Sequence, residues 1–184
     1  ARFVYLSTPA GYLPQEGGGH IAFFFPLKKG RLKYDFELKR NLKDDMKHVF
    51  MVQTDVQVSC QEHLDSYRSY VGKARAFMEK YAKERDAFVL DCGDIVVNTP
   101  GLYPDYIQVS GGLGLPVYRI IGNHDMEMGE RSFEHSYKTY EDYFGPIYYS
   151  FNRGKAHYII LDNCFYINRD YRYIGYIDER TLQW

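Results

Sequence analysis

Residues 116–125, PVYRIIGNHD, carry the pattern that decides the fold. The mostly apolar run at 117–121 has the length and composition of a buried strand. A glycine ends this run, and Asn123, His124 and Asp125 follow without a gap. An amide, an imidazole and a carboxylate directly after a strand form a site only if other parts of the chain bring similar side chains to the same place.

Two earlier apolar runs end in the same kind of residue. The first run, HVFMVQT at 48–54, is followed by Asp55 and Gln57, and the second run, AFVL at 87–90, is followed by Asp94. Both runs have the length of a strand. Three successive predicted strands therefore end in side chains that can bind a metal ion.

The segments between and after these strands include predicted helices. At 62–84, apolar residues recur every three or four positions and form one stripe. A second helix is predicted at 132–144, with a serine as its N-cap and a Gly-Pro pair as its stop. Two more strands are predicted at 147–152 and 156–162. Strands that alternate with helices indicate an α/β fold with a largely parallel sheet.

The predicted topology brings the three strand ends together, because ligands bind beyond the carboxyl ends of the strands in such sheets. Between Asp55 and Asp94 the numbering advances by 39, and between Asp94 and Asn123 by 29, which is enough in each case for one crossover connection. If the strands are neighbours, five side chains converge at one sheet edge: Asp55, Gln57, Asp94, Asn123 and His124. Carboxylate, amide and imidazole donors suit Mn, Fe, Zn or Mg, and the lack of a nearby thiolate pair argues against a structural zinc site.

The composition excludes several classes of protein. The chain has 184 residues, a hydrophobic fraction of 45% and a net charge of −1, which is typical of a globular domain and indicates neither nucleic acid nor an anionic membrane as a partner. No apolar run approaches the roughly 20 residues that a membrane-spanning helix needs. The three cysteines are widely spaced, which argues against a disulfide framework.

Residues 1–46 differ from the rest of the chain. They contain short β-type segments broken by Gly, Pro and polar turns, and they lack a helical pattern. The stretch GRLKYDFELK at 30–39 alternates apolar and charged residues with the period of a half-buried strand. The sequence therefore predicts a β-rich segment at 1–46 ahead of an α/β domain at 47–184.

The strand-end motifs resemble those of the calcineurin-like metallophosphoesterase family. They are DVQ at 55–57, GD at 93–94 and GNHD at 122–125, and the resemblance extends over roughly 48–184. It implies a layered α/β-β/α sandwich of the metallophosphoesterase type, of which 47–184 would be the N-terminal portion. It also implies hydrolysis of a phosphoester by a metal-activated water, with the substrate class left open.

The resemblance implies a role for each predicted metal ligand. Asp94 would bridge two divalent ions. Asp55 and Gln57 would bind one ion, and Asn123 would bind the other. The metal-bound water would attack phosphorus in line, with its pKa lowered by the ions.

The resemblance also implies catalytic roles for the last two residues of GNHD. His124 would lie near the leaving group and donate a proton or stabilise charge in the transition state. Asp125 would orient the imidazole of His124 by a hydrogen bond to its other nitrogen.

Two departures from the family pattern affect these expectations. Gln57 stands where the usual pattern has a histidine, which we interpret as an altered metal preference. The late G-H-x-H motif is missing from the sequence, and His157 lies inside a predicted strand. We therefore expect the chain to be a fragment that binds metal weakly and hydrolyses little. The alternative is a non-catalytic binding or scaffold protein that keeps the fold with an incomplete metal site.

The β-rich segment at 1–46 suggests a source and a location for the protein. Some bacterial members of the family carry a β-sandwich module before the catalytic domain, and the segment would be the end of such a module. This resemblance favours an exported or periplasmic bacterial protein. The other interpretation is a β-rich extension packed on the catalytic domain.

Overall fold

A computed structural model describes residues 2–17 and 19–184. The described strands are β1 (Phe3–Tyr5), β2 (Tyr12–Gly17), β3 (His20–Ala22), β4 (Phe24–Pro26), β5 (Leu38–Arg40), β6 (Asp44–Gln53), β7 (Arg85–Asp91), β8 (Val117–Arg119), β9 (Tyr149–Arg153), β10 (Ala156–Ile160), β11 (Cys164–Asn168) and β12 (Arg172–Gly175). The α-helices are α1 (Gln61–Met78), α2 (Tyr103–Gly111), α3 (Phe133–Ser136), α4 (Lys138–Phe144) and α5 (Glu179–Gln183). Short 3-10 helices cover Pro100–Leu102 and Asn123–Asp125.

The three strands that carry the predicted site form one parallel sheet in the order β6, β7, β8. Val89 of β7 is level with Met51 of β6 and with Val117 of β8. The predicted mixed α/β class with a parallel sheet is thus confirmed. The complete layered sandwich of the metallophosphoesterase type stays a prediction.

Helices α1 and α2 cover one face of this sheet. α1 buries five residues that follow the spacing of the sequence pattern: Leu64, Tyr67, Val71, Ala74 and Met78. Most of them share a hydrophobic core with Tyr106 of α2 and with Val89 and Val117 of the sheet. The apolar stripe of the sequence is therefore the face that α1 turns to the sheet.

A β-hairpin covers the opposite face. β9 and β10 pair antiparallel, and the ring of Phe151 stacks on the ring of Tyr118 with centroids 3.8 Å apart. Phe88 of β7 is fully buried and meets both rings edge-on. A buried ion pair also joins the two layers, since Arg153 Nε lies 2.8 Å from Asp86 Oδ2. Successive residues of β7 thus alternate between the two faces of the sheet: Phe88 faces the hairpin, and Val89 faces the helices.

The N-terminal segments pack on the hairpin side of the sheet. β1 pairs with β4, and β2 lies between β3 and β5. Ile21 and Phe23 enter the hydrophobic core that contains Phe88, and Thr8 forms a bridge with Phe151. These residues therefore complete a core of the α/β domain. The predicted division into 1–46 and 47–184 stays a prediction, and strand β6 begins just before it.

The strand predicted at 30–39 forms only at its end, in Leu38–Arg40. Leu32 is 99% exposed, whereas Tyr34 and Phe36 pack against the ring of Phe25. None of the strands described here pairs with residues 31–37. The prediction of a strand along this stretch was wrong, because Tyr34 and Phe36 contact one aromatic ring instead of a neighbouring strand and Leu32 is exposed.

Two predicted helices end differently from the sequence pattern. α1 stops at Met78, because the chain turns there and Ala82 packs with Met78 and Ala87 in a small apolar cluster. The helix predicted at 132–144 is divided into α3 and α4 at Tyr137, whose φ of −108° and ψ of 11° depart from helical values. Tertiary packing thus overrides the periodicity at these ends. Across residues 2–17 and 19–184, the helices are too short or too polar to cross a membrane.

Candidate metal centre

The loops that follow β6, β7 and β8 meet at the carboxyl edge of the parallel sheet. The backbone N–H of Asp55 donates to the carbonyl oxygen of Gly93 over 3.1 Å, and that of Gln57 donates to the carbonyl oxygen of Asp94 over 2.9 Å. The backbone N–H of His124 donates to Asp94 Oδ1 over 2.9 Å. Asp94 therefore lies in the middle loop and is bonded to both of its neighbours.

Three of the predicted ligands have a left-handed backbone. The φ angles are 53° at Asp55, 49° at Gln57 and 51° at Asp94. L-residues other than Gly, Asn and Asp adopt this conformation rarely, and it is common at functional sites. Aspartate tolerates this conformation, whereas at Gln57 the fold holds the backbone in a costly conformation beside the predicted ligand Asp55.

Two glycines let the middle loop and the third loop touch backbone to backbone. A Cβ atom on Gly93 would lie 2.6 Å from the backbone nitrogen of Gly122, and a Cβ atom on Gly122 would lie 2.2 Å from the backbone nitrogen of Asp94. Gly93 also has a φ of +88°. Only glycine fits this close approach, which draws Asp94 and Asn123 together.

The first loop presents its ligands towards solvent. Asp55 is exposed and Gln57 is half-buried. The Thr54 hydroxyl donates to Asp55 Oδ2, and Gln57 Nε2 donates to Asp55 Oδ1 over 3.2 Å. With its nitrogen turned to Asp55, the Gln57 amide keeps its oxygen for another partner. An amide oxygen beside a carboxylate is a suitable pair of donors for a hard divalent cation.

Asn123 and His124 lie in the short 3-10 helix after β8, and both side chains are half-buried. Nδ1 of His124 is buried and has no hydrogen-bond partner among the described residues. The expected bond from Asp125 to this imidazole is not formed in the structure.

The Asp125 carboxylate instead binds backbone N–H groups. It accepts from the N–H of Gly122 over 2.9 Å, from that of Ile95 over 3.1 Å and from that of Val96 over 3.3 Å. The phenol of Tyr103 donates to Asp125 Oδ1 over 3.1 Å. Burial raises the pKa of Asp125 to about 7, although the three backbone N–H groups favour its ionised form.

A second buried carboxylate precedes Asp94 by three residues in the sequence. Asp91, at the end of β7, accepts a hydrogen bond from Gln53 Nε2 over 2.7 Å and another from the Tyr106 phenol. Burial raises the pKa of Asp91. These contacts tie the ends of β6 and β7 to helix α2 directly beneath the ligand loops.

Cys164, the first residue of β11, lies close to the site. Burial, with the charges of Asp162, Asp94 and Asp125, raises the pKa of Cys164 to about 11. Without a metal ion, the thiol is therefore protonated at neutral pH and is not a nucleophile. The sequence pattern gave no signal for this cysteine, because the link between β10 and the site depends on the fold.

An open cleft of about 580 Å³ lies beside the first loop. One wall is formed by the loop, including Thr54 and Gln57, and the other by His63, Tyr67 and Tyr70 of α1. The sequence motifs did not indicate that these helix residues line a cleft. A signal was available, since Tyr70 is an aromatic residue off the apolar stripe of α1.

The ligand set matches a hard divalent cation in its chemistry. The predicted ligands in the three loops are two carboxylates, Asp55 and Asp94, and two amides, Gln57 and Asn123. Among residues 2–17 and 19–184, no group of three or more His, Cys, Asp or Glu side chains is placed to hold a metal ion. Carboxylate and amide oxygens are donors that hard divalent cations prefer.

Comparison with known proteins identifies the class to which this arrangement belongs. A profile of the calcineurin-like phosphoesterase family matches residues 48–180, well over half of the chain. The chain therefore belongs to the calcineurin-like phosphoesterase family, as the motifs predicted. Members of this family are in general hydrolases of phosphoesters that use divalent metal ions. No curated protein sequence matches the chain significantly.

Proposed function

We propose that this chain hydrolyses a phosphoester at a dinuclear site formed by the loops after β6, β7 and β8. The observation that supports the proposal is the contact of these three loops through Asp94. Its carbonyl oxygen binds the loop of Gln57, and its carboxylate binds the backbone of His124. A residue between two other ligand loops is suited to share two metal ions.

The other ligands divide between the two sides of Asp94. Asp55 and Gln57 are proposed to hold one ion, and Asn123 the other. Bound divalent ions would lower the pKa of a coordinated water and offset the charge of the phosphoester. The chain itself supplies the orientation of these donors, because hydrogen bonds to neighbouring loops fix the backbone at Asp55, Gln57 and Asp94.

His124 is proposed to serve the leaving group. Its backbone is fixed by Asp94 Oδ1, and its Nδ1 is buried. We assign proton transfer to Nε2, the ring nitrogen left to meet a substrate. The organic part of the substrate is proposed to lie in the cleft between the first loop and α1.

Titration with Mn²⁺ tests the proposal. The parent chain, Asp94→Asn and the control Asp35→Asn are compared by isothermal calorimetry. Asp35 is a suitable control because its side chain is 77% exposed and lies in the N-terminal segment. We expect the parent and the control to bind Mn²⁺ with the same Kd, and the Kd of Asp94→Asn to rise about tenfold or more. Equal Kd values for the two variants would contradict a role of Asp94 in the site.

Hydrolysis of bis(p-nitrophenyl) phosphate with Mn²⁺ is the second readout. We expect slow hydrolysis by the parent and none above background by Asp94→Asn. Mn²⁺ binding without any hydrolysis, or no Mn²⁺ binding by the parent, would instead support the alternative of a non-catalytic binding protein with the phosphoesterase fold.

A further inference from the structure

The carboxylate of Asp125 connects two of the loops that carry proposed ligands. Its backbone donors are Ile95 and Val96, in the loop after β7, and Gly122, in the loop after β8. Ile95 directly follows Asp94 in the sequence, and Gly122 directly precedes Asn123. Two of the three donors are therefore directly bonded in the chain to a proposed ligand, and one carboxylate connects the backbones on both sides.

The surroundings of Asp125 exclude the other roles that a carboxylate could have here. The side chain is only 2% exposed, so it cannot reach a substrate or a solvent-facing ion. Both of its oxygens accept backbone N–H groups, and Oδ1 also accepts the Tyr103 phenol. Nδ1 of His124 lacks a partner among the described residues, so the orientation of the imidazole does not depend on Asp125.

We propose that Asp125 is a positioning residue that locks the loops of Asp94 and Asn123 in register through their backbone N–H groups. The two loops meet backbone to backbone at Gly93 and Gly122, which have no side chains to hold them in register. Charge-assisted hydrogen bonds to buried N–H groups are among the stronger ones in proteins. The assignment rests on the proposed function for the identity of the ligands, but the lock itself can be measured without metal.

Asp125→Asn tests the lock, with Glu141→Gln as its matched control. The asparagine keeps the size of the side chain but turns an NH₂ group towards N–H donors, so at least one backbone bond is lost. Glu141 is also a buried carboxyl, at 6% exposure, and its partner is Arg2 rather than either loop. Both substitutions exchange a buried carboxyl for an amide, and only Asp125→Asn touches the ligand loops.

The first readout is the affinity for Mn²⁺ at a temperature at which both variants are folded. We expect the Kd to rise about tenfold or more in Asp125→Asn and to stay within about twofold of the parent in Glu141→Gln. The second readout is amide hydrogen exchange without metal. We expect exchange at Ile95, Val96 and Gly122 to be faster in Asp125→Asn than in Glu141→Gln. The two variants are compared at temperatures equally far below their own melting temperatures.

The two readouts separate this inference from the proposed function. If the parent binds no Mn²⁺, the proposed function fails, and the exchange rates alone decide the lock. Unchanged exchange at the three amides, or an unchanged Kd in folded Asp125→Asn, would overturn the inference. Should Asp125→Asn not fold, Tyr103→Phe removes one donor, and exchange at Ile95 and Val96 no faster than in the parent would overturn it.

Discussion

Gly122 determines how closely the loop after β8 approaches the loop after β7. Its φ of −113° is accessible to any residue, so its backbone does not require glycine. Its surroundings do, because an added Cβ atom would lie 2.2 Å from both the backbone nitrogen and Oδ1 of Asp94. Any side chain at this position must push Asp94 away from Asn123.

Gly122→Ala is therefore expected to damage the metal site. We expect the Kd for Mn²⁺ to rise about tenfold or more, since ligands displaced by a few tenths of an ångström bind poorly. Gly129→Ala is the control, because Gly129 is exposed and a Cβ atom there would meet no heavy atom of the described residues within 4 Å. Calorimetric titration of both variants measures the effect, and equal Kd values would contradict it.

At the scale of elements, the turn between β10 and β11 contains a buried carboxyl, Asp162. It is 6% exposed and accepts one hydrogen bond, from the backbone N–H of Cys164 over 2.8 Å. Oδ2 has no partner among the described residues. Burial, with a contribution from the charge of Asp178, raises the pKa of Asp162 to about 7. The folded turn is therefore more stable when the Asp162 carboxyl is protonated and uncharged.

This pKa makes the stability of the turn depend on pH. The folded pKa is higher than the unfolded one, so the folded chain binds more protons between pH 4 and pH 7, and the free energy of unfolding falls as the pH rises through this range. We expect the free energy of unfolding of Asp162→Asn, relative to that of the parent, to rise by about 2–3 kcal/mol between pH 5 and pH 8. Urea unfolding of both proteins in EDTA measures it. Stability curves that stay parallel across this range would contradict the expectation.

The elements that the sequence predicted well are those with a long periodic pattern. The buried stripe of α1 and the three strand ends of the site follow directly from the order of apolar and polar residues. Helix α2 was not predicted, because its nine residues contain a proline and end in glycine, and packing of Tyr103 and Tyr106 stabilises it. The hairpin of β11 and β12 was not predicted either.

The contacts of the site were less predictable than its residues. The motifs place Asp94 and Asp125 in successive loops, but the bonds from Ile95 and Val96 to Asp125 join residues about 30 positions apart. Their formation depends on the left-handed backbone of Asp94 and on the close approach of the two glycines. None of these features has a local sequence signal, and the bond to the imidazole of His124 was expected only from the family resemblance.

At the scale of the whole molecule, one ion pair connects the parallel sheet with the β-hairpin that covers it. Arg153 of β9 and Asp86 of β7 are both almost fully buried. The guanidinium also lies over the rings of Phe88 and Tyr118 and donates to the Tyr118 phenol over 2.7 Å. Loss of the arginine would leave the Asp86 carboxylate buried without its charge partner.

Arg153→Met is expected to lower the free energy of unfolding by about 3–5 kcal/mol, because the Asp86 carboxylate stays buried without an opposite charge beside it. The double variant Arg153→Met with Asp86→Asn removes that charge and is expected to regain roughly 2 kcal/mol of the loss. Urea unfolding of the parent, the single variants and the double variant gives the coupling energy. A double variant as unstable as the sum of the single variants would show that the two residues act independently.

At Gln57, which has a left-handed backbone like Asp55 and Asp94, the residue that is best for stability differs from the residue that is proposed to bind metal. Gln57 costs on the order of 1 kcal/mol in a conformation that glycine adopts freely, whereas aspartate tolerates this conformation better. A laboratory selection for heat resistance alone would therefore favour glycine in place of Gln57, and the enriched variants would have lost one of the proposed ligands. Engineering of a more robust form should hold these positions fixed and look for stability in the hydrophobic layers.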